Sequence, residues 1–124
     1  MLSGYNRAVE KGDISSLVGF GLYKQTSAEI ERKIVGQTTS NGIQIESFAT
    51  HFIDRIIGQT STRHEGMRQG VSVEDALDAL LHPTKIKTEK PRSDGDTRQV
   101  FYGERAAVTI SIRDKRLIQT NPSR

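Results

Sequence analysis

The sequence predicts an α+β fold in which N-terminal helices pack on a twisted antiparallel sheet of four or more strands. Apolar residues recur at helical spacing up to Pro83, and from residue 84 onward they alternate with polar residues, which is the period of a strand. The strand-like segments also follow one another without a helical segment between them. We therefore expect a meander with the helices on one of its faces.

The first part of the chain carries two short helix signals. Residues 4–11 have the spacing of a short helix, and a further turn ending at Leu17 is expected after it. Ser27 is predicted to cap a helix over 28–35, because acidic residues come early, basic residues come late and a glycine follows. Residues 36–42 are rich in glycine and threonine and are predicted to be a loop.

Two further helices follow this loop. Residues 47–57 place apolar side chains on one stripe, and a glycine ends the segment. Ser72 is predicted to cap a helix over 73–81, because two acidic residues occupy its first turn and Pro83 stops it. The polar, glycine-containing segment 59–70 between them is predicted to be a loop.

The remaining chain reads as strands joined by turns. The third predicted strand has one apolar face, and its other face carries Thr109 and Ser111. We treat the chain as a single domain, residues 1–124, with a helical N-terminal segment over 1–35 and the core over 36–124. The four predicted strands are 84–89, 97–103, 105–112 and 116–121.

Composition excludes several classes of protein. The chain has no cysteine, which excludes disulfide scaffolds, cysteine-ligated zinc and thiol catalysis. It has three histidines, too few for a cage of several histidines around a metal, and neither a Walker loop nor a glycine-rich dinucleotide turn, so we expect no metal and no cofactor. No apolar run is long enough to cross a bilayer, so we expect no membrane-spanning segment.

The net charge of +3 is unevenly distributed. Residues 1–83 carry eight Lys and Arg against ten Asp and Glu, whereas residues 84–124 carry ten against five. The basic excess therefore lies in the predicted sheet. Such an excess binds phosphate backbones by counterion release, or it is ordinary solvated charge on an exposed face, and charge alone leaves both interpretations open.

Two of the histidines could take part in acid–base chemistry. His51 and Arg55 are four residues apart and share one side of a predicted helix, where an imidazole titrates near neutrality and a guanidinium binds phosphate. The alternative is a boundary histidine bonded to the backbone and an arginine paired with an acid. His64 lies in the polar loop, and His82 stands at a helix end, where histidine commonly complements the dipole.

Polar side chains of the predicted strands form the second group of candidates. On a strand that faces helices they would have to line a cleft, whereas on an exposed face they simply meet water. The two alternating lysines of the first strand could bind a phosphate, or they could protect an edge strand from aggregation. These candidates are Lys85, Lys87, Gln99, Thr109, Ser111 and Thr120.

Three segments, in this order, carry a resemblance to a known group of proteins. They are GQTTSNGIQIESFATHFIDRIIGQ (36–59), GVSVEDALDALLHP (70–83) and QVFYGERAAVTISIRDKRLIQTNP (99–122). The chain resembles the C-terminal toxin domains of bacterial polymorphic toxins, of the contact-dependent inhibition and LXG types, in the group with the Barnase/EndoU/colicin/RelE-like (BECR) nuclease fold. Related domains also occur in phage minor head proteins.

The resemblance implies an RNA substrate, most often tRNA, bound in a cleft across the sheet. A ribose 2′-OH would attack the adjacent phosphorus without a metal and leave a 2′,3′-cyclic phosphate. Carried onto this chain, His51 takes the acid or base role, Arg55 and Lys87 stabilise the phosphate, and Thr109 and Thr120 position it. His64 is a further catalytic candidate, and the expected substrate-binding residues are Lys85, Lys87, Arg98, Gln99, Ser111 and Asn121.

The resemblance also implies a cognate immunity protein, acidic in charge, that docks on the basic face. The chain would then be the C-terminal part of an exported bacterial toxin that acts in the cytoplasm of a target cell. Two alternatives stay open. One is a deoxyribonuclease toxin on a related fold, which would need a water nucleophile and a metal; the other is a non-catalytic phage-head or RNA-binding module.

Overall fold

The computed structural model describes residues 2–14, 19–58, 61–62, 66–67 and 69–123. Within them the helices are α1 (Leu2–Lys11), α2 (Phe20–Lys33), α3 (Thr50–Ile57) and α4 (Val73–Leu81). The strands are β1 (Ser47–Phe48), β2 (Ser61–Thr62), β3 (Gly66–Met67), β4 (Lys85–Thr88), β5 (Arg98–Tyr102), β6 (Ala106–Ser111) and β7 (Arg116–Pro122). The predicted α+β class is confirmed.

The main sheet has five strands in the order β1-β7-β6-β5-β4. Strands β4 to β7 form the antiparallel meander that the alternating pattern predicts. Strand β1 pairs in parallel with β7, with Ser47 opposite Arg116, so the sheet is mixed and the expectation of antiparallel strands holds for four of the five. Strands β2 and β3 pair separately as a small antiparallel sheet.

The prediction of a helix over 47–57 is wrong at its start. Phe48 continues the apolar stripe of α3 in the sequence, but it belongs to β1 and packs against the core from there. Backbone hydrogen bonds fix this segment to β7, since the N–H of Ala49 donates to the carbonyl of Leu117 at 2.8 Å. The helix begins at Thr50 and ends before Gly58, whose φ of 81° lies in the left-handed region.

Helix α2 begins seven residues before the predicted cap, so the prediction of a start at Ser27 is wrong. Gly19 is the residue at the N-cap, and it offers no side chain to accept a hydrogen bond, which leaves no capping signal in the sequence. The early turns are held by tertiary packing instead, because Tyr23, Thr26 and Ile30 are buried on one face.

Helix α4 forms as predicted. The Ser72 hydroxyl accepts a hydrogen bond from the backbone N–H of Asp75 at 3.0 Å, and the acidic first turn complements the helix dipole. Helix α1 is also confirmed and starts two residues earlier than predicted. The turn ending at Leu17 lies outside the described residues, and in segment 59–70, predicted as a loop, the described backbone includes β2 and β3.

The core lies between the sheet and the helices. Helix α3 packs on β7, α4 packs on β6 and β5, and α2 packs across α3 and α4. Helix α4 lies close to the sheet at Gly103, because a Cβ atom added to this glycine would lie 2.8 Å from the Cα and from the Cβ of Ala79. The largest fully buried side chains include Ile30, Ile34, Phe52, Ile53, Leu80, Phe101, Ile110 and Leu117.

Lys33 links helix α2 to helix α4. Its Nζ donates to Glu29 on the same helix at 2.8 Å and to Glu74 at the start of α4 at 2.6 Å. In the part of the chain that the structure describes, none of the helices is both long and apolar enough to span a bilayer.

Candidate functional site

The alternation of side chains gives the main sheet two different faces. Phe101, Val108 and Leu117 point toward the helices and are fully buried. The opposite face carries no described helix, and none of its residues belongs to the described core. We call it the open face, and we define it by Lys85, Lys87, Arg98, Val100, Tyr102, Ala107, Thr109, Ser111, Arg116, Gln119 and Asn121.

Strand pairing aligns the open face in three rows that cross the sheet. Directly paired residues point to the same side, so each row brings together side chains that are far apart in sequence. The first row is Arg116, Ser111 and Arg98; the second is Gln119, Thr109, Val100 and Lys87; the third is Asn121, Ala107, Tyr102 and Lys85.

The strands of the open face carry charge of one sign, and the buried Asp96 carboxylate meets its first row at Ser111. Strands β4 to β7 contribute four cations to it and no acidic residue. The nearest acid along these strands is Glu89, which follows β4 and pairs with Arg98 through a backbone hydrogen bond of 2.9 Å. Among the described residues, none of the four cations forms an ion pair within 4 Å. Their charge is therefore available to a ligand.

Tyr102 adds an aromatic ring to this face. It lies in the same row as Lys85, whose Nζ stands 5.7 Å from the centre of the ring. A half-buried tyrosine on a basic sheet presents a flat surface on which a nucleobase can stack. Tyr102 is not among the candidates predicted from the sequence, although its alternation with Arg98 and Val100 on one strand places all three on the same face.

Gln99 and Thr120 lie on the helix-bearing side of the sheet, not on the open face. The Thr120 hydroxyl is buried and donates to the carbonyl of Ala107 at 2.8 Å. The Gln99 amide donates to Thr88 at 2.8 Å and accepts from Asn41 at 3.0 Å. Their polar atoms satisfy groups of the protein itself, so the structure does not bring them to Thr109.

Ser111 belongs to the first row of the open face, but its hydroxyl has two partners within the protein. It donates to the buried Asp96 carboxylate at 2.8 Å and accepts from the backbone N–H of Asp114 at 3.1 Å. These bonds connect the end of β6 to the turns on either side of it. Asp114 itself has a pKa below its usual value, chiefly because Arg113 donates a hydrogen bond to it.

His51 and Arg55 form a direct pair on α3. The Arg55 Nε donates to the His51 Nε2 at 3.0 Å, and both side chains are half-buried. This bond requires an unprotonated Nε2, so the proton of the neutral imidazole stands on Nδ1. Because α3 packs on the helix-bearing side of β7, the pair and the open face lie on opposite sides of the sheet.

Of the two remaining histidines, the structure describes one. His64 lies outside the described residues. His82 is exposed and is the residue that follows the last turn of α4. Across the described ranges, no three His, Asp or Glu side chains converge in the way that metal ligands do.

The candidates therefore fall into two groups. The open face brings together Lys85, Lys87, Arg98, Thr109 and Asn121, whereas His51 and Arg55 stand apart on α3. The fold and the site define an α+β protein with a five-stranded mixed sheet, one face of which is uncovered by described helices and basic. No protein-family model, no curated protein and no solved structure matches the chain.

Proposed function

We propose that this protein binds RNA across the open face and cleaves it as a metal-independent ribonuclease. The observation that supports the proposal is the concentration of one aromatic ring and four cations, none of them paired with a described acid, on a sheet face whose strands carry no acid. Cations bind the phosphates, and a ring stacks on an unpaired base. The predicted BECR-like character of the fold belongs to this proposal.

The proposed reaction uses the ribose hydroxyl of the substrate. The 2′-OH attacks the adjacent phosphorus, its proton passes to a base, and the departing 5′-oxygen receives a proton, which leaves a 2′,3′-cyclic phosphate and a 5′-OH end. Lys87 and Arg98 offer positive charge to the phosphorane, and Thr109 and Asn121 offer hydrogen bonds to its oxygens.

His51 remains the proposed acid or base, with Arg55 as its partner. Only Ala49 separates the start of α3 at Thr50 from β1, the strand at one edge of the sheet, so His51 stands close in sequence to that edge. An RNA strand that crosses the open face and continues past β1 would come to α3. The role of His51 therefore depends on a substrate longer than the face itself.

The biological setting rests on the sequence resemblance. We propose that the chain is the C-terminal part of an exported bacterial toxin, and that it acts on tRNA in the cytoplasm of a target cell. A cognate immunity protein with an acidic surface would neutralise it by covering the open face, because the same cations that bind phosphates also attract carboxylates.

Incubation of the purified protein with tRNA in EDTA tests the proposal. We expect cleavage with cyclic-phosphate ends, and we expect Lys87→Ala to reduce it by at least tenfold. Lys24→Ala, which removes an exposed lysine of α2, is the matched control and should cleave normally. Nicking of plasmid DNA that EDTA abolishes, with tRNA left intact, would instead support the deoxyribonuclease alternative.

His51→Ala separates the two groups of candidates. We expect it to abolish cleavage while RNA binding and the thermal unfolding midpoint stay close to those of the native protein. Full cleavage by the folded variant would remove His51 from the mechanism and leave the open face as the candidate site for the whole reaction.

A non-catalytic RNA-binding module is the second candidate. The separation of the His51–Arg55 pair from the open face favours it, since none of the residues that define this face is a histidine. This candidate predicts binding without cleavage and no toxicity when the protein is expressed in bacterial cytoplasm.

A further inference from the structure

Arg98 is incompletely hydrogen-bonded inside the open face. Its Nε is buried and has no hydrogen-bond acceptor, and among the described residues it is the only buried side-chain nitrogen or oxygen in this state. A guanidinium keeps its charge and offers five N–H donors. A buried N–H without an acceptor is unfavourable, so the observed arrangement is one that an incoming acceptor would improve.

The neighbours of Arg98 do not supply that acceptor. Ser111, directly opposite on β6, donates its hydroxyl proton to Asp96 and accepts from Asp114. Glu89, opposite on the other side, shares only the backbone hydrogen bond with Arg98 and makes no ion pair within 4 Å with any described residue.

A second arginine stands in the same row. Arg116 on β7 pairs with Ser111 on β6, which in turn pairs with Arg98 on β5. Neighbouring strands are about 4.8 Å apart, so the two arginines begin roughly 10 Å from each other on the same face. Side chains of that length can bind one anion from its two sides, above the serine between them.

We propose that Arg98 and Arg116 form a phosphate subsite, and that the half-buried Arg98 side chain reorients to bind the phosphate through Nε and Nη together. The proposal rests on the proposed RNA-binding function and specifies where one phosphate of that RNA lies. Paired N–H donors of a guanidinium match two oxygens of a phosphate, which a lysine ammonium cannot do. The ligand is an internal phosphodiester of the RNA, since the basic rows of Lys87 and Lys85 continue on the same side of the sheet and would bind the neighbouring phosphates.

Salt-dependent binding of a 2′-O-methyl RNA oligonucleotide, which cannot be cleaved, tests the subsite. Each phosphate contact to a single strand contributes about 0.7 to the slope of log K against log salt concentration. We expect Arg98→Gln to weaken binding by roughly tenfold and to lower the slope by about that amount. Arg98→Lys should keep the slope and still lose affinity, because the charge remains and the paired donors do not.

The NMR signal of the Arg98 Nε–Hε group gives an independent readout. It should shift on addition of the oligonucleotide and stay unshifted with inorganic phosphate alone at the same concentration. A response to inorganic phosphate, or only to an oligonucleotide with a 5′-terminal phosphate, would overturn the assignment to an internal phosphodiester. Arg32→Gln, a charge-matched change on an exposed residue of α2, is the control and should alter neither measurement.

The outcomes separate this inference from the proposed function. If Lys87→Gln lowers the slope and Arg98→Gln does not, RNA binds the open face but Arg98 is not a phosphate ligand. If neither change affects binding, the open face is not the RNA-binding surface and both proposals fail. Native-like unfolding midpoints for the variants are required in each case, and Arg98→Lys provides the test if Arg98→Gln does not fold.

Discussion

Replacing Gly103 by alanine should destabilise the protein through a clash that can be located atom by atom. The new Cβ would lie 2.8 Å from the Cα and from the Cβ of Ala79, and 3.1 Å from the carbonyl oxygen of Ala106. Carbon atoms pack best at about 3.5–4.0 Å, so α4 and the turn before β6 would have to separate by roughly 1 Å. None of these three nearest described atoms belongs to a flexible side chain that could give way.

The expected loss of stability follows from the range measured for substitutions that overpack a protein core. Such substitutions lower the free energy of unfolding by about 1–3 kcal/mol, and a contact with helix backbone lies near the middle of that range, at about 2 kcal/mol. For a chain of this length we expect the midpoint of thermal unfolding to fall by about 8 °C. Differential scanning calorimetry or urea denaturation followed by circular dichroism measures it.

Gly21→Ala is the matched control for this prediction. Gly21 lies in α2, and no atom of another described part of the chain stands within 4 Å of the Cβ that the change would add. Alanine is the better helix former, so this variant should be more stable by about 0.5 kcal/mol. If Gly103→Ala proves as stable as the native protein while Gly21→Ala behaves as expected, the close approach of α4 to the sheet is refuted.

Three further predictions concern a cap, an ion pair and a tautomer. Ser72→Ala removes the side-chain cap of α4 and should lower the free energy of unfolding by about 1 kcal/mol in urea denaturation, whereas Ser72→Asp should retain it. Lys33 donates to Glu74 and holds the pKa of that carboxyl below its usual 4.5, which an NMR titration will show. A lowered carboxyl pKa stabilises the fold at pH values above the pKa of the unfolded state, and this contribution is lost as the pH falls through the pKa of the folded state. Lys33→Met should therefore return the Glu74 pKa toward 4.5 and weaken the acid dependence of stability. The Arg55–His51 bond predicts that ¹⁵N shifts of neutral His51 show the proton on Nδ1, and that Arg55→Met abolishes this preference; a proton on Nε2 in the native protein would contradict the observed pair.

Elements with local signals could be predicted from the sequence. The meander follows from alternation, and α4 follows from its serine cap, its acidic first turn and the proline after it. Strand β1 could not be predicted in this way, because two residues carry no periodic pattern and their pairing partner on β7 comes far later in the chain. The start of α2 was missed for a related reason, since tertiary burial of Tyr23 and Thr26 replaces a capping side chain.

The candidate site shows the same division. Alternation correctly predicts that Lys85 and Lys87 share one face and that Thr109 and Ser111 share one face. Strict alternation from Arg116 would place Thr120 on the open face. A register shift beside Thr109 inserts an extra residue in β7, so the side chains after it point to the opposite faces and Thr120 lies on the helix-bearing side. A one-residue irregularity of this kind depends on how two strands meet, so neither strand reveals it alone.

The parallel pairing of β1 with β7 has a consequence for how the chain folds. Ser47 and Arg116 are about 70 positions apart, and contacts of such long sequence separation form slowly because the intervening loop must first be closed. The acidic N-terminal two-thirds of the chain and the basic C-terminal third therefore share one sheet, joined by the pairing of β1 with β7. The last strand completes the edge of the sheet from which α3 starts, so a chain interrupted before β7 would leave that edge unformed. In hydrogen exchange, we expect the amides of β1 to open together with those at the start of β7.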